Sequence, residues 1–235
     1  KDIRKLMLIG IVIMLLVLGF NLKSIYAVFS IVITIVFALI GMIGFMGWMY
    51  KFTGLFIFKF TMMNTSMPVV LLTIANSDGV HILTRFFREA RKKGHVKDAI
   101  GTTLKAIFLP IFLTSFTTAI AFLAFIFSPI DQFIGYGITL AFAIMWAWIL
   151  STTLLPSIIL LKKWNLDAKY IKKESILEKV ASYIGEQITK FPKRVLFSGF
   201  MIVFISIFGF KYIEIEVNTS KFFKVGNPIR ESNDF

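Results

Sequence analysis

Between Lys59 and Arg85 the only charged residue is Asp78, and it sits in an otherwise apolar run of helical length. A carboxylate at the depth of a membrane span costs on the order of 3 kcal/mol on insertion scales, so its default reading is functional, with a partner expected on an adjacent helix. A carboxyl group taken out of water is suited to gain and lose a proton under working conditions. Helical spacing sets His81 three residues and Arg85 seven residues after Asp78, on roughly one face. His81 has an equally good structural account, as a neutral imidazole bonded to Ser77 or to a carbonyl one turn back. Arg85 reads as a residue snorkelling to the membrane boundary. A later apolar run carries Thr114, Ser115, Thr117 and Thr118, of which Thr114, Thr117 and Thr118 share a face with Ala121. Such hydroxyls either serve a neighbouring polar group or bond their own backbone while letting helices approach closely. Asp78, His81, Thr114, Thr117 and Thr118 are therefore the candidate relay residues. An aspartate among hydroxyls suits either H+ or Na+ as an exchanged ion.

Other chemistries fail on residue inventory. The two histidines, His81 and His95, are not in an HExxH pattern, so an intramembrane zinc protease has no ligand set. An aspartyl dyad fails because Asp131 reads as part of a turn outside the spans. No glycine-rich nucleotide cradle is present, and the absence of cysteine removes disulfides, thiolate metal sites and thiol nucleophiles. The expectation is a protein that is not an enzyme and needs no cofactor. Any transport it supports must be driven by ions or by another subunit.

The elements that must position these residues follow from composition. Of the 235 residues 57% are hydrophobic and the mean hydropathy is +0.81, more apolar surface than one soluble core can bury. Six stretches approach the length of about 20 residues that a bilayer-spanning helix needs: 6–22, 25–50, 67–84, 106–127, 132–161 and 195–211. The net charge of +13 is not a nucleic-acid signal here, because 17 of the 26 Lys and Arg fall in alternate connections between spans. Those connections are expected to be cytoplasmic. Gly41, Gly44 and Gly47 make a small-residue face for tight helix packing, and Pro110 and Pro156 are candidate kinks. Trp48, Tyr50 and Trp164 lie at span ends, whereas Trp146 and Trp148 lie mid-span and do not fit an interfacial belt.

Residues 167–190 have the apolar spacing of an amphipathic helix lying on the inner membrane surface, a soluble linker being the alternative. Tyr212 to Val217 alternate as a half-buried strand should. The expected organisation is an all-α integral membrane protein with six transmembrane helices. Residues 1–165 form the helices of a first half, 166–194 an amphipathic linker, 195–213 a helix opening a second half, and 214–235 the start of an external domain. With no initial methionine and a strand that has only begun, the chain reads as an excerpt of a longer protein.

The stretch from Asn76 to Gly94, NSDGVHILTRFFREARKKG, resembles the charged span of exporters of the resistance-nodulation-division (RND) superfamily, especially the MMPL-like and hopanoid-exporter-like branches. Asp78, His81, Arg85, Arg88 and Glu89 match that motif, and LTSFTTAIAF from Leu113 to Phe122 resembles the family's threonine-rich helix, with Thr117 and Thr118 as its paired threonines. GMIGFMG from Gly41 to Gly47 resembles its glycine-rich helix end. Gly79 departs from a common version of the motif, which has tyrosine or phenylalanine there. The resemblance implies the second to seventh helices of an RND-type bundle, five of them corresponding to a sterol-sensing domain. It also implies export of lipids or other hydrophobic compounds driven by the proton-motive force, with Asp78 taking protons from outside and releasing them inside. The implied partners are membrane lipids, a hydrophobic substrate, the remaining half of the pump and its external porter domains, with homo-oligomerisation left open and no nucleic acid. The implied location is the cell membrane, most readily a bacterial inner membrane. The alternatives are a sterol- or lipid-sensing regulatory module and a protein-secretion accessory.

Overall fold

The structure, a computed structural model, describes residues 2–165, 171 and 176–212. The chain divides into two compact units, Lys1–Lys179 and Val180–Phe235. In the first, α1 (Asp2–Leu22), α2 (Ile25–Thr53), α3 (Met67–Lys93), α4 (Val96–Leu123) and α5 (Asp131–Leu161) follow one another. A further helix, α6 (Ile176–Lys190), runs into the second unit, where α7 (Pro192–Gly209) follows it. The described secondary structure is entirely helical. The expected strand lies, beyond Tyr212, outside the described residues.

Five described segments are long and apolar enough to cross a membrane: Ile25–Thr53, Phe56–Lys93, Val96–Phe127, Asp131–Leu161 and Pro192–Gly209. The first expected span is also a helix, α1, whose described apolar part is Gly10–Leu22. The helices overrun the hydropathy limits. The connection between the third and fourth spans, read from sequence as a basic loop of residues 85–105, is almost wholly helix, broken only at Gly94 and His95. Gly94 ends α3 with φ +69°, its N–H bonding the Ala90 carbonyl at 3.1 Å. Arg91, Lys92 and Lys93 occupy the last turn, where cations offset the partial negative charge of the helix end.

The segment between α2 and α3 is neither helix extension nor loose loop. Gly54 caps α2 in the left-handed region, and two 3-10 turns follow, Phe56–Phe58 and Met63–Ser66. Phe58 and Asn64 are buried, and Asn64 Nδ2 lies 3.3 Å from Met46 Sδ. A Cβ on Gly135 would run into the Ile57 carbonyl, and one on Gly137 into the Phe122 carbonyl, so the first turns of α5 pack directly on backbone. Only glycine admits that approach.

α5 is the hub, in contact with α2, α3 and α4. Its buried residues Leu140, Ala143 and Ala147 belong to one core with Ile31, Ile35 and Ala38 of α2 and Leu71, Ala75 and Ile82 of α3. Where lipid is as apolar as a side chain, close dispersion contact rather than water exclusion drives such pairing. Phe45 stacks on Phe142 with centroids 3.9 Å apart. Trp146 and Trp148 thereby acquire a purpose that belt logic denied them. Trp146 fills the notch at Gly41, where a Cβ would collide with the indole, and Trp148 packs against Phe108 and Phe112. Gly44 and Gly47 face open space, so of the three expected packing glycines only Gly41 is in close contact.

One end of this unit is tied by hydrogen bonds to carbonyls that the end of α5 would leave open. Tyr26 Oη donates to the Ile158 carbonyl and Trp164 Nε1 to the Ile159 carbonyl, each at 2.8 Å. The Lys162 ammonium stands 4.4 Å from the Tyr26 ring and 4.6 Å from the Trp164 ring. Phe86 and Phe87 of α3 edge onto the same indole. The turn of α3 that carries Arg85 to Glu89 is thus held against α2 and α5.

Candidate ion-coupling site

Asp78 lies on the buried side of α3, 6% exposed, between α2 and α4. Its neighbour Gly79 explains the close approach on one side. A Cβ there would lie 2.9 Å from the Ile31 side chain, so an aromatic residue at this position would need that side chain to give way. On the other side Ser115 Oγ donates to Asp78 Oδ2 at 3.4 Å, a long and therefore weak hydrogen bond. Ser115 is itself buried, on the α4 face that also carries Ile111 and Ala119.

The other hydroxyls of α4 behave differently. Thr114 Oγ1 donates to the Ile111 carbonyl at 2.8 Å, Thr117 Oγ1 to Leu113 at 2.8 Å and Thr118 Oγ1 to Thr114 at 2.6 Å. All three bond their own helix backbone, the structural alternative weighed from sequence. Thr114 and Thr118 nevertheless line the cleft beside Asp78, whereas Thr117 does not. The hydroxyl that reaches the carboxylate is that of Ser115. Sequence reasoning named it among the hydroxyls without placing it in the relay set, because a face drawn through Thr114, Thr117 and Thr118 leaves it out.

The cleft between α3 and α4 encloses about 550 Å³. Thr73, Ser77, Asp78 and His81 line it from α3, followed by Arg85 and Arg88, with Ile107, Pro110 and Ile111 supplying apolar wall from α4. His81 shares the cleft with Asp78 one turn away, and among the described residues it makes no hydrogen bond with Ser77. Its side chain is exposed along the open side of the cleft. Arg85 is more than a boundary marker: its Nε lies 3.1 Å from Oε1 of Glu89, whose side chain is buried at 6% exposure. A buried carboxylate left without such a partner would be strongly destabilising. Among the described residues no cluster of His, Cys, Asp and Glu could hold a metal ion.

The buried Asp78 carboxyl group on α3, a hydroxyl from the next helix and a cleft running from them to two arginines form the arrangement to which comparison with known proteins can be applied. The profile of the MMPL family matches residues 1–215. The chain belongs to the MMPL family. It is thus RND-type, as the motif from Asn76 to Gly94 implied, and a multi-pass membrane protein. Among curated MMPL-like relatives, protein dispatched homolog 1 of mouse is 29% identical over 155 residues, 65% of this chain and 10% of the mouse protein. The human protein of the same name is 30% identical over 155 residues, again 65% of this chain and 10% of its own length. A membrane protein of Methanocaldococcus jannaschii is 25% identical over 113 residues, 48% of this chain and 29% of that protein. The chain therefore spans a small part of the length of these relatives, and corresponds to a transmembrane module of an RND-type transporter or sterol-sensing-like protein.

Proposed function

We propose that this chain is the transmembrane part of an exporter of lipids or other hydrophobic compounds driven by the proton-motive force, with Asp78 as the group that takes up and releases the coupling proton. The observation that carries the reading is the seat of Asp78: a carboxyl group held inside a helix pair by one weak hydrogen bond and opening onto a cleft that His81, Arg85 and Arg88 also line. A purely structural carboxylate would be expected to be saturated with donors, and one facing lipid would be too costly to retain. Weak attachment is what a group that changes charge in every cycle requires, since a strongly bonded carboxylate would be trapped in its charged form.

In this reading the protein resides in the cell membrane with its basic connections on the cytoplasmic side. His81, Thr114 and Thr118 line the proton's path, Ser115 orients the carboxyl group, and Thr117 serves packing of the helix. The remaining half of the pump covers the open side of the cleft, and external domains handle the substrate. Catalysis of bond chemistry is no part of the scheme.

The test is export by the full-length protein in cells carrying Asp78→Asn, at matched membrane abundance. Loss of export with normal abundance is the expected result. Undiminished export by this variant would sink the reading. The competing role of a lipid-sensing module predicts instead that no substrate flux exists to be lost, and that binding of a hydrophobic ligand is indifferent to the proton gradient.

A further inference from the structure

Far along the chain from Asp78, in the second unit, the junction of α6 and α7 combines two features that the scheme above does not use. The first is charge. Lys190, Lys193 and Arg194 lie within five residues, all exposed, while Glu186 is the only acidic residue from Val180 to Tyr212. Two of these cations flank a single ring: Lys190 Nζ is 5.6 Å and the Arg194 guanidinium 4.7 Å from the centre of Phe191. Phe191 itself is partly buried at the joint, where its N–H bonds the Gln187 carbonyl and its carbonyl accepts from Arg194 and Val195. Lys190 and Arg194 are thus gathered about Phe191 where an amphipathic helix meets a helix apolar and long enough to cross a membrane.

The second feature is shape. A furrow of about 510 Å³ runs from Ile188 and Pro192 along Val195, Leu196, Gly199 and Val203, apolar throughout. Gly199 is part of its lining and faces open space, since a Cβ there would meet nothing within 4 Å. The exposed apolar face of α6, with Tyr183, Ile184 and Ile188, suits a helix lying at a membrane surface, an arrangement that would bring furrow and cations to the same leaflet.

We infer that this junction binds an anionic glycerophospholipid, its phosphate drawn to the Lys190, Lys193 and Arg194 cluster and one acyl chain laid in the furrow over Gly199. Basic clusters flanking a membrane span attract anionic headgroups over distances within a Debye length. The furrow adds what charge alone lacks, a defined seat for the chain. The inference is independent of the role of Asp78.

The full-length protein purified in detergent is titrated with phosphatidylglycerol or with phosphatidylcholine of the same acyl chains, and retained lipid is counted by native mass spectrometry. The wild type should retain the anionic lipid at least about tenfold more strongly. The triple variant Lys190→Gln, Lys193→Gln, Arg194→Gln should lose that preference, whereas exchanging Lys for Arg and Arg for Lys at the three positions should keep it. Gly199→Leu, which fills the furrow, should weaken retention of phosphatidylglycerol several-fold with the charges intact. Equal retention of the two lipids by the wild type overturns the inference. So does a preference that survives the triple Gln variant, or a Gly199→Leu protein that holds the lipid as well as the wild type, the sign that another protein helix fills the furrow. Should the triple Gln variant fail to reach the membrane, the wild-type comparison and Gly199→Leu decide.

Discussion

The contact of α5 with α2 and the contact of α3 with α4 are built from the same kinds of helix, yet one is closely fitted and the other is partly open and carries polar side chains. On the first, Trp146 occupies the notch at Gly41, Phe45 stacks on Phe142, and the facing residues Ala38, Ala143 and Ala147 are buried. On the second, beside a cleft of about 550 Å³, Asp78 accepts one long hydrogen bond from Ser115, and the Thr114 and Thr118 hydroxyls bond their own backbone. The lesson is a division of labour. Rigid packing around α5 fixes where Asp78 stands, and in the proposed scheme the loose cleft leaves its charge state free to change.

The comparison breaks most readily on its closely fitted side. Gly135→Leu drives a side chain into the Ile57 carbonyl, and should cost about 3 kcal/mol or more, seen as a lower thermal unfolding midpoint of the purified protein. Gly44→Ala, facing open space, is the control and should leave the midpoint unchanged. Next in size is Gly79→Phe, which installs the aromatic residue common in the related motif. It should destabilise by about 2 kcal/mol through its clash with Ile31, and Ile31→Ala in the same protein should recover about 1 kcal/mol of that. A Gly79→Phe protein of full stability would show that α2 and α3 are not in register at this level.

The polar side is sharpened by smaller effects. Ser115→Ala removes a hydrogen bond worth about 1 kcal/mol, and export should slow about fivefold at unchanged abundance. Thr117→Ala takes away a hydroxyl that bonds only its own helix and lies outside the cleft, so export should stay within about twofold of wild type. If the order were reversed, with Thr117 mattering and Ser115 silent, α4 would have to be rotated from the orientation described.

Five of the six expected spans and the burial of Asp78 were legible in the sequence, because both rest on the cost of placing charge in an apolar run. That cost marks Asp78 by its isolation and marks the spans by their lack of such residues. What was not legible depended on geometry between distant segments. Hydropathy reads Arg85 to Lys93 as loop, although a helix can carry charge wherever it leaves the bilayer, and α3 does so through the Arg85 and Glu89 pair. The hydroxyl facing Asp78 depends on how α4 is turned, a choice that four hydroxylated residues within five positions leave open. Gly135 and Gly137 gave no signal at all, since the backbone they admit comes from elsewhere in the chain. Gly41 and Gly44 look alike in sequence and differ only in whether Trp146 stands opposite. The linker before Ile176 and the strand expected after Tyr212 fall largely outside the described residues.

The most direct measurement of the central claim needs no substrate. Dicyclohexylcarbodiimide reacts with protonated carboxyl groups in apolar surroundings, so the full-length protein in native membranes should be labelled at Asp78, as read by peptide mass spectrometry, and not in Asp78→Asn. Because only the protonated form reacts, labelling should fall as pH is raised and recover when it is lowered again. Absence of label at Asp78 at every pH, or labelling indifferent to pH, would contradict a carboxyl group that exchanges its proton from a secluded seat between α3 and α4.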